Sequence, residues 1–172
     1  MKNLYAPWRS DYAQADERRN PDGSPEHACV FCHHAHDAKD EENLIVRRFE
    51  HTMVMFNRYP YNAGHLLIVP LTHVENLEKL PKQARVECIE LANASMTILQ
   101  QAMRPHGFNV GLNLGKAAGA GMPSHVHMHV LPRWYGDTNF LVTLDETKTI
   151  SVDIFDLYKK LRPLFDELPA TF

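Results

Sequence analysis

Residues His125-Val126-His127-Met128-His129-Val130-Leu131 alternate imidazoles with apolar side chains. A strand sends successive side chains to opposite faces, so all three histidines would line one face, roughly 7 Å apart, with Val126, Met128 and Val130 packing beneath. Near pH 7 such a row of neutral imidazoles can bind metal, move protons or attack phosphorus. A surface strand that is merely rich in histidine is the bland alternative. Against it, a Gly/Ala stretch leads directly into the row and Pro132-Arg133-Trp134 follows it.

The rest of the chain supplies an ordinary globular setting for that strand. Its 172 residues suffice for one domain with a real core, and 44% apolar and 23% charged residues are usual for a soluble protein. We divide it into an arm with little regular structure over 1–28 and a single domain over 29–172, because the first stretch is polar and punctuated by proline and glycine. A formal net charge of −3 announces no basic surface, which argues against nucleic acid as a partner. No apolar run approaches a membrane span, and the first residues are too polar for a secretory signal. The expected location is therefore the cytoplasm, where thiols stay reduced.

Strand-like runs cover Leu44–Phe49, Thr52–Asn57, Leu66–Val69 and Phe108–Leu114, with Phe140–Leu144 as a further candidate. Cys29 to Cys32 sits on a turn, and residues 33–43 read as a His- and acid-rich loop. Pro81 to about Met103 is the clearest helix: Val86, Ile89, Ala92, Met96, Leu99 and Met103 recur at steps of three or four, Pro81 suits a first turn, and Pro105 and Gly107 end it. Asp153–Leu168 reads as a second, amphipathic helix that Pro163 should kink or break. Antiparallel-looking strands with one long and one terminal helix give an α+β fold.

Cys29-Val30-Phe31-Cys32 has metal-chelate spacing, and two thiolates from one turn can grip a tetrahedral ion. Two further ligands are needed, and with eleven histidines spacing alone cannot select them. His27, His33, His34 and His36 are near in sequence; His73 and His125 are distant. A c-type haem attachment, a redox pair and two unrelated loop thiols are the rival readings. Cys88 falls in the long helix and suits packing. The stretch Asn113–Ser124 is rich in glycine and alanine, which lets backbone N–H groups approach an anion closely, although it matches neither the P-loop nor the dinucleotide fingerprint.

The histidine row fits completely the His-φ-His-φ-His-φ-φ signature, with φ apolar, of the histidine triad (HIT) superfamily. Asn57-Arg58-Tyr59-Pro60-Tyr61-Asn62-Ala63-Gly64-His65 is similar to that family's nucleoside-side loop. The stretches Pro105–Asn113 and Pro132–Phe140 resemble a bacterial subgroup that includes diadenosine tetraphosphate phosphorylases, and Tyr5-Ala6-Pro7-Trp8-Arg9 is similar to its N-terminal arm. The resemblance implies an antiparallel sheet of about five strands with a long helix, paired into a homodimer through that helix and an edge strand.

It implies an enzyme acting on nucleotides at the α-phosphate. His127 would be the nucleophile that forms a covalent nucleotidyl-histidine, and His129 would neutralise charge near the scissile bridge. Asn57 would lie by the ribose and Asn113 on phosphate, with Gly121, Met122 and Ser124 in the phosphate loop. Zinc-bearing members imply a structural zinc on Cys29, Cys32, His73 and His125. The implied reaction is nucleotidyl transfer from dinucleoside polyphosphates, with phosphate as the favoured acceptor. Hydrolysis of those substrates or of nucleoside phosphoramidates is the nearest alternative, and a nucleotide-binding sensor with little catalysis is an alternative of another class. The chain departs from the family where many members carry Gln and Ser or Thr before the triad: it has Gly121, Met122 and Pro123. Taken singly, His65 reads as a structural histidine, Arg133 as a solvated surface residue and Trp134 as packing.

Overall fold

Thr52–Phe56 and Leu66–Pro70 are buried at every position, which requires cover on both faces of the sheet they belong to. The computed structural model describes residues 29–142, 150 and 152–172, and the arm expected over 1–28 lies outside them. In chain order the described elements are α1 (Val30–His36), β1 (Ile45–Arg48), β2 (Thr52–Phe56), β3 (Leu66–Pro70), α2 (Lys82–Met103), β4 (Gly107–Leu112), β5 (Met128–Arg133) and α3 (Ile154–Asp166). The strands form one five-stranded antiparallel sheet in the order β1-β2-β3-β5-β4. The architecture is the expected α+β one.

Period-two alternation sorts the side chains between two layers. Val54, Phe56, Leu66, Ile68, Met128 and Val130 face α2 and α3 and form the main core. Ile45, Met53, Met55, Leu67 and Val69 face the other way, onto Cys29, Phe31 and Met122. Val126 joins a third small cluster with Leu80 and Ala84. The apolar members of the histidine row therefore pack as expected. The paired strand itself starts only at Met128, however, and His125 and His127 lead into it.

The long helix occupies almost the expected span, but its buried stripe is rotated. Val86 and Ile89 are exposed, at 42% and 51%, while Glu87 and Ser95 are buried. A purely apolar count misses this, because the burial of Glu87 rests on hydrogen bonds. Its Oε1 accepts from the Thr52 hydroxyl at 2.7 Å and from the His51 amide at 3.0 Å. Helix α2 ends where Arg104 adopts a left-handed conformation at φ 50°, and the following Pro105 cannot continue the helix.

Three expectations are corrected. Residues 30–36, read partly as turn and partly as loop, form α1. Its C-terminal carbonyls are collected by a residue from β1: the Arg48 guanidinium donates to the carbonyls of His34, Ala35 and Asp37 and to the Asp40 carboxylate. Phe140–Leu144 is not a strand in its described part, since Leu141 and Val142 are helical; Thr143 and Leu144 lie outside the described residues. Pro163 does not break α3. It sits on the exposed face in the last turn, where the carbonyl it leaves unpaired can meet water. Asp153 caps the start of α3, the Tyr158 hydroxyl donates to the Ile45 carbonyl, and Arg47 donates to the carbonyls of Phe165 and Leu168 at its end.

Glu87→Ala would strand a buried hydroxyl and amide, and should cost about 1–3 kcal/mol in urea unfolding. Glu87→Gln keeps an acceptor oxygen and should lose clearly less. Equal losses in the two variants would contradict this account of the helix face.

Candidate active site

In β5, His129 sits opposite Leu67 of β3 and Gly111 of β4, on the face turned away from α2. His127 precedes it, 7% exposed, with its ring centroid 4.9 Å from that of His129 and 5.0 Å from Phe31 of α1. The three imidazoles thus do not form a simple row on one strand face. Each is turned by a different partner.

Those partners fix where the ring protons lie. His127 Nδ1 is 2.9 Å from the carbonyl of His125. A carbonyl only accepts, so Nδ1 carries the proton and Nε2 keeps its lone pair. Burial holds the His127 pKa below the ordinary imidazole value, with the bond to that carbonyl opposing in part, which favours the neutral ring. His65 Nδ1 accepts from the Tyr61 amide at 3.1 Å and lies 3.3 Å from Asn57 Nδ2. Its proton is therefore on Nε2, 2.9 Å from His129 Nδ1. His129 Nδ1 must accept, and its own proton is left on Nε2. A ring with an unprotonated Nε2 and a ring with a protonated Nε2 are thereby set side by side.

Both rings line one open cleft. Phe31, Tyr59, Tyr61 and Leu67 give it apolar and aromatic walls, and Asn57, Asn113, Gly121 and Met122 complete it. Among the described residues, none of the lining side chains is Asp, Glu, Lys or Arg. In the 113–124 loop, the amides of Ala118, Gly119 and Ala120 bond within the loop itself. Asn113 at its start and Gly121 with Met122 near its end are the parts that reach the cleft.

A second cluster lies directly behind. Cys29, Cys32, His73 and His125 bring their ligand atoms within 4.8 Å of one another. His125 Nδ1 is 3.3 Å from Cys29 Sγ and 3.6 Å from Cys32 Sγ, and His73 Nδ1 is 3.1 Å from Cys32 Sγ. With metal–sulfur bonds near 2.3 Å and metal–nitrogen bonds near 2.0 Å, tetrahedral ligands stand roughly 3.5 Å apart, so the donor set can hold a metal ion. His125 Nε2 donates to the Pro70 carbonyl at 2.8 Å, leaving Nδ1 unprotonated toward the thiols. Burial is the main cause that pushes the His125 pKa down to about 4, which also keeps it neutral. Cys88 is remote from both clusters, and its thiol is pushed up to about 12 by burial, in keeping with a packing role.

The structure brings together most of the residues singled out from sequence. His127, His129, Asn57, Asn113, Gly121 and Met122 line one cleft, and the four sulfur and nitrogen ligands form one cluster. Ser124 is not brought to the cleft wall: it is exposed, with its hydroxyl 3.6 Å from Met122 Sδ. Asn57 lines the cleft, yet its amide holds the Tyr59 backbone and lies against His65. Arg133 is bound to Asp137 and Asn109 rather than solvated alone. Sequence reasoning missed Phe31 as a cleft wall and His65 as the partner of His129. The position of Phe31 between the two cysteines is the one local signal that ties it to this place.

A search against protein families matches residues 38–135 to the HIT domain family. The chain belongs to the histidine triad family. Among its relatives, the protein named AP-4-A phosphorylase from Mycobacterium tuberculosis is 39% identical over 151 residues, covering 87% of this chain and 77% of that protein. The fold is shared with a Zn-bound histidine triad family protein from Mycobacterium smegmatis, at TM-score 0.66 and 23% identity over 83% of this chain and 96% of that one. It is also shared with Plasmodium falciparum diadenosine triphosphate hydrolase, at TM-score 0.59 and 18% identity over 73% and 78%.

Elemental analysis of the purified protein should find about one metal ion per chain, the ratio set by one four-ligand cluster. Cys29→Ser should lose that ion and lower Tm by about 5 °C or more. A metal-free wild type with the same Tm would overturn the assignment.

Proposed function

We propose that the protein transfers a nucleotidyl group from a dinucleoside polyphosphate, such as diadenosine tetraphosphate, to inorganic phosphate. The observation that carries this reading is the bond from His127 Nδ1–H to the His125 carbonyl, which leaves the His127 Nε2 lone pair beside His129 in the cleft. His127 Nε2 attacks the α-phosphorus, a P–N bond forms, and the bridging P–O bond breaks. The electron pair leaves with the departing nucleoside polyphosphate, toward which His129 Nε2–H donates. A phosphate oxygen then attacks the same phosphorus, breaks the P–N bond and restores His127. Diadenosine tetraphosphate and phosphate thus give ATP and ADP, with all atoms accounted for. Splitting one displacement into two is what lets the acceptor vary. The name of the 39% identical relative supports phosphate over water.

In this reading the walls Phe31, Tyr59 and Tyr61 take the base, Asn57 holds the loop beside the ribose, and Asn113 with the Gly121–Met122 backbone faces phosphate. Ser124 can serve only from outside the cleft wall. We further propose that the ion on Cys29, Cys32, His73 and His125 is zinc, which soft thiolates with imidazoles favour in tetrahedral geometry. Its part is structural, and it seats α1 and hence Phe31 against His127. Reduced thiols at this cluster accord with a cytoplasmic location, and no described helix is long and apolar enough to cross a membrane.

We also propose a homodimer. Among the described residues, strand β4 is an edge of the sheet with Val110 44% exposed, and Val86 with Ile89 makes an exposed apolar patch on α2. Exposed strand edges and contiguous apolar surface favour association. Ile89→Glu should shift the species in sedimentation from twice the chain mass to once. A wild type that already sediments as a single chain would remove the proposal.

The reaction is tested by product analysis on diadenosine tetraphosphate with and without phosphate. ATP plus ADP, only with phosphate, is the expected result. ATP plus AMP without phosphate would make the protein a hydrolase, and tight nucleotide binding with no product would make it a sensor. His127→Ala should lower turnover by at least about 10⁴-fold, since it removes the nucleophile, while nucleotide binding persists.

A further inference from the structure

The cleft accounts for neither the Pro132–Phe140 stretch nor its buried acid. Asp137 is 7% exposed at its side chain, lies eight residues beyond His129 and does not line the cleft. Arg133 grips it bidentately, Nε to Oδ2 at 2.6 Å and Nη2 to Oδ1 at 2.9 Å. The Trp134 amide donates to Oδ2 at 3.2 Å and the Thr138 hydroxyl to Oδ1 at 3.2 Å. A further donor comes from across the fold: Asn62 Nδ2 reaches Oδ2 at 2.8 Å, with its second hydrogen on the Pro132 carbonyl at 3.1 Å. Both partners only accept, so the amide orientation is fixed by chemistry.

Asn62 is the neighbour of Tyr61, whose amide sets the His65 proton on Nε2 and so obliges His129 Nδ1 to accept. An independent observation shows the same loop pressed onto the same strand. Gly64 has φ +74°, and a Cβ there would lie 2.8 Å from Met103 Sδ and 3.2 Å from Pro132 Cγ. The loop that carries Tyr59 and Tyr61 is thus docked on the end of β5 twice, by steric fit at Gly64 and by hydrogen bonds at Asn62.

We infer that Asp137 is a positioning residue: through Asn62 it locks the 57–64 loop to β5, and through the Tyr61 amide and His65 it fixes which nitrogen of His129 carries the proton. The inference rests on His127 and His129 being the reacting pair. A charge-assisted, bidentate Arg–carboxylate pair is a stiff anchor for such a lock. It acts on rate rather than on substrate contact, because the displaced group is a donor that must meet developing charge at the leaving oxygen.

The test uses Asn62→Ala and Asp137→Asn in the full chain, with Asn109→Ala as control, since the Asn109 side chain accepts from the outer Nη1 of Arg133 at 2.7 Å and not from the groups that bind Asp137. Two readouts are taken: nitrogen-15 NMR of the imidazoles in the free protein, and kcat on diadenosine tetraphosphate with phosphate. In wild type and Asn109→Ala, His65 should show a single Nε2–H tautomer. In either lock variant that signature should become mixed, and kcat should fall by about tenfold to a hundredfold. Either folded lock variant decides the matter. Unchanged imidazole signals overturn the inference whatever happens to kcat, because a merely structural role would lower activity through the folded fraction alone. If wild type shows no turnover, the reading of the reaction fails, and the tautomer measurement still tests the lock.

Discussion

The carbonyl of Pro70 takes the Nε2 proton of His125, and the carbonyl of His125 takes the Nδ1 proton of His127. Two neighbouring imidazoles of the same row thereby present opposite nitrogens to opposite tasks. His125 offers Nδ1 to the sulfur cluster behind the site, and His127 offers Nε2 to the cleft in front. Neither assignment comes from side-chain chemistry. Both come from where β3 ends and how the chain enters β5, so the sheet itself sets the protonation pattern.

That dependence explains why the sheet is covered on both faces. One face is closed by α2 and α3 over a core that includes Met128 and Val130, which holds β5 in register. The other carries α1, whose Phe31 touches the rings of both His125 and His127. Helix α1 is short and has no side-chain cap at its start, so its persistence leans on Arg48 gathering its last carbonyls and on the contacts of Cys29 with His125 and of Cys32 with His73. The cleft wall is therefore built by contacts that reach across the chain, not by the local sequence of the wall.

The same dependence separates the elements that are legible in the sequence from those that are not. β2, β3, α2 and the terminal helix fall within a residue or two of their expected bounds, because continuous apolar runs and flanking prolines are local signals. The family resemblance supplied His73 and His125 as partners of the cysteines, a choice spacing could not make. The rotated face of α2 was hidden because Glu87 and Ser95 are buried there, and only the Thr52 hydroxyl and His51 amide make Glu87 tolerable. Helix α1 was hidden because its capping group stands twelve residues further on. The part played by His65 was hidden because His129, which it meets, is 64 residues away. The Asp137 anchor had a visible motif but no visible partner until Asn62 was placed beside it.

The separation of Cys29 from His125, 96 residues, has a consequence for how the protein is made. On a ribosome, chain emerges at about 5–20 residues per second, so the helix bearing the first ligand waits on the order of 5–20 s for the last one. Through that interval Phe31 has no His127 ring to pack against, and the sulfur pair lacks its histidine partners. The site thus cannot form before β5 is made, and nascent chains pass through a stage with β1, β2 and β3 able to pair and the two clusters still incomplete, while α3 closes the core later still.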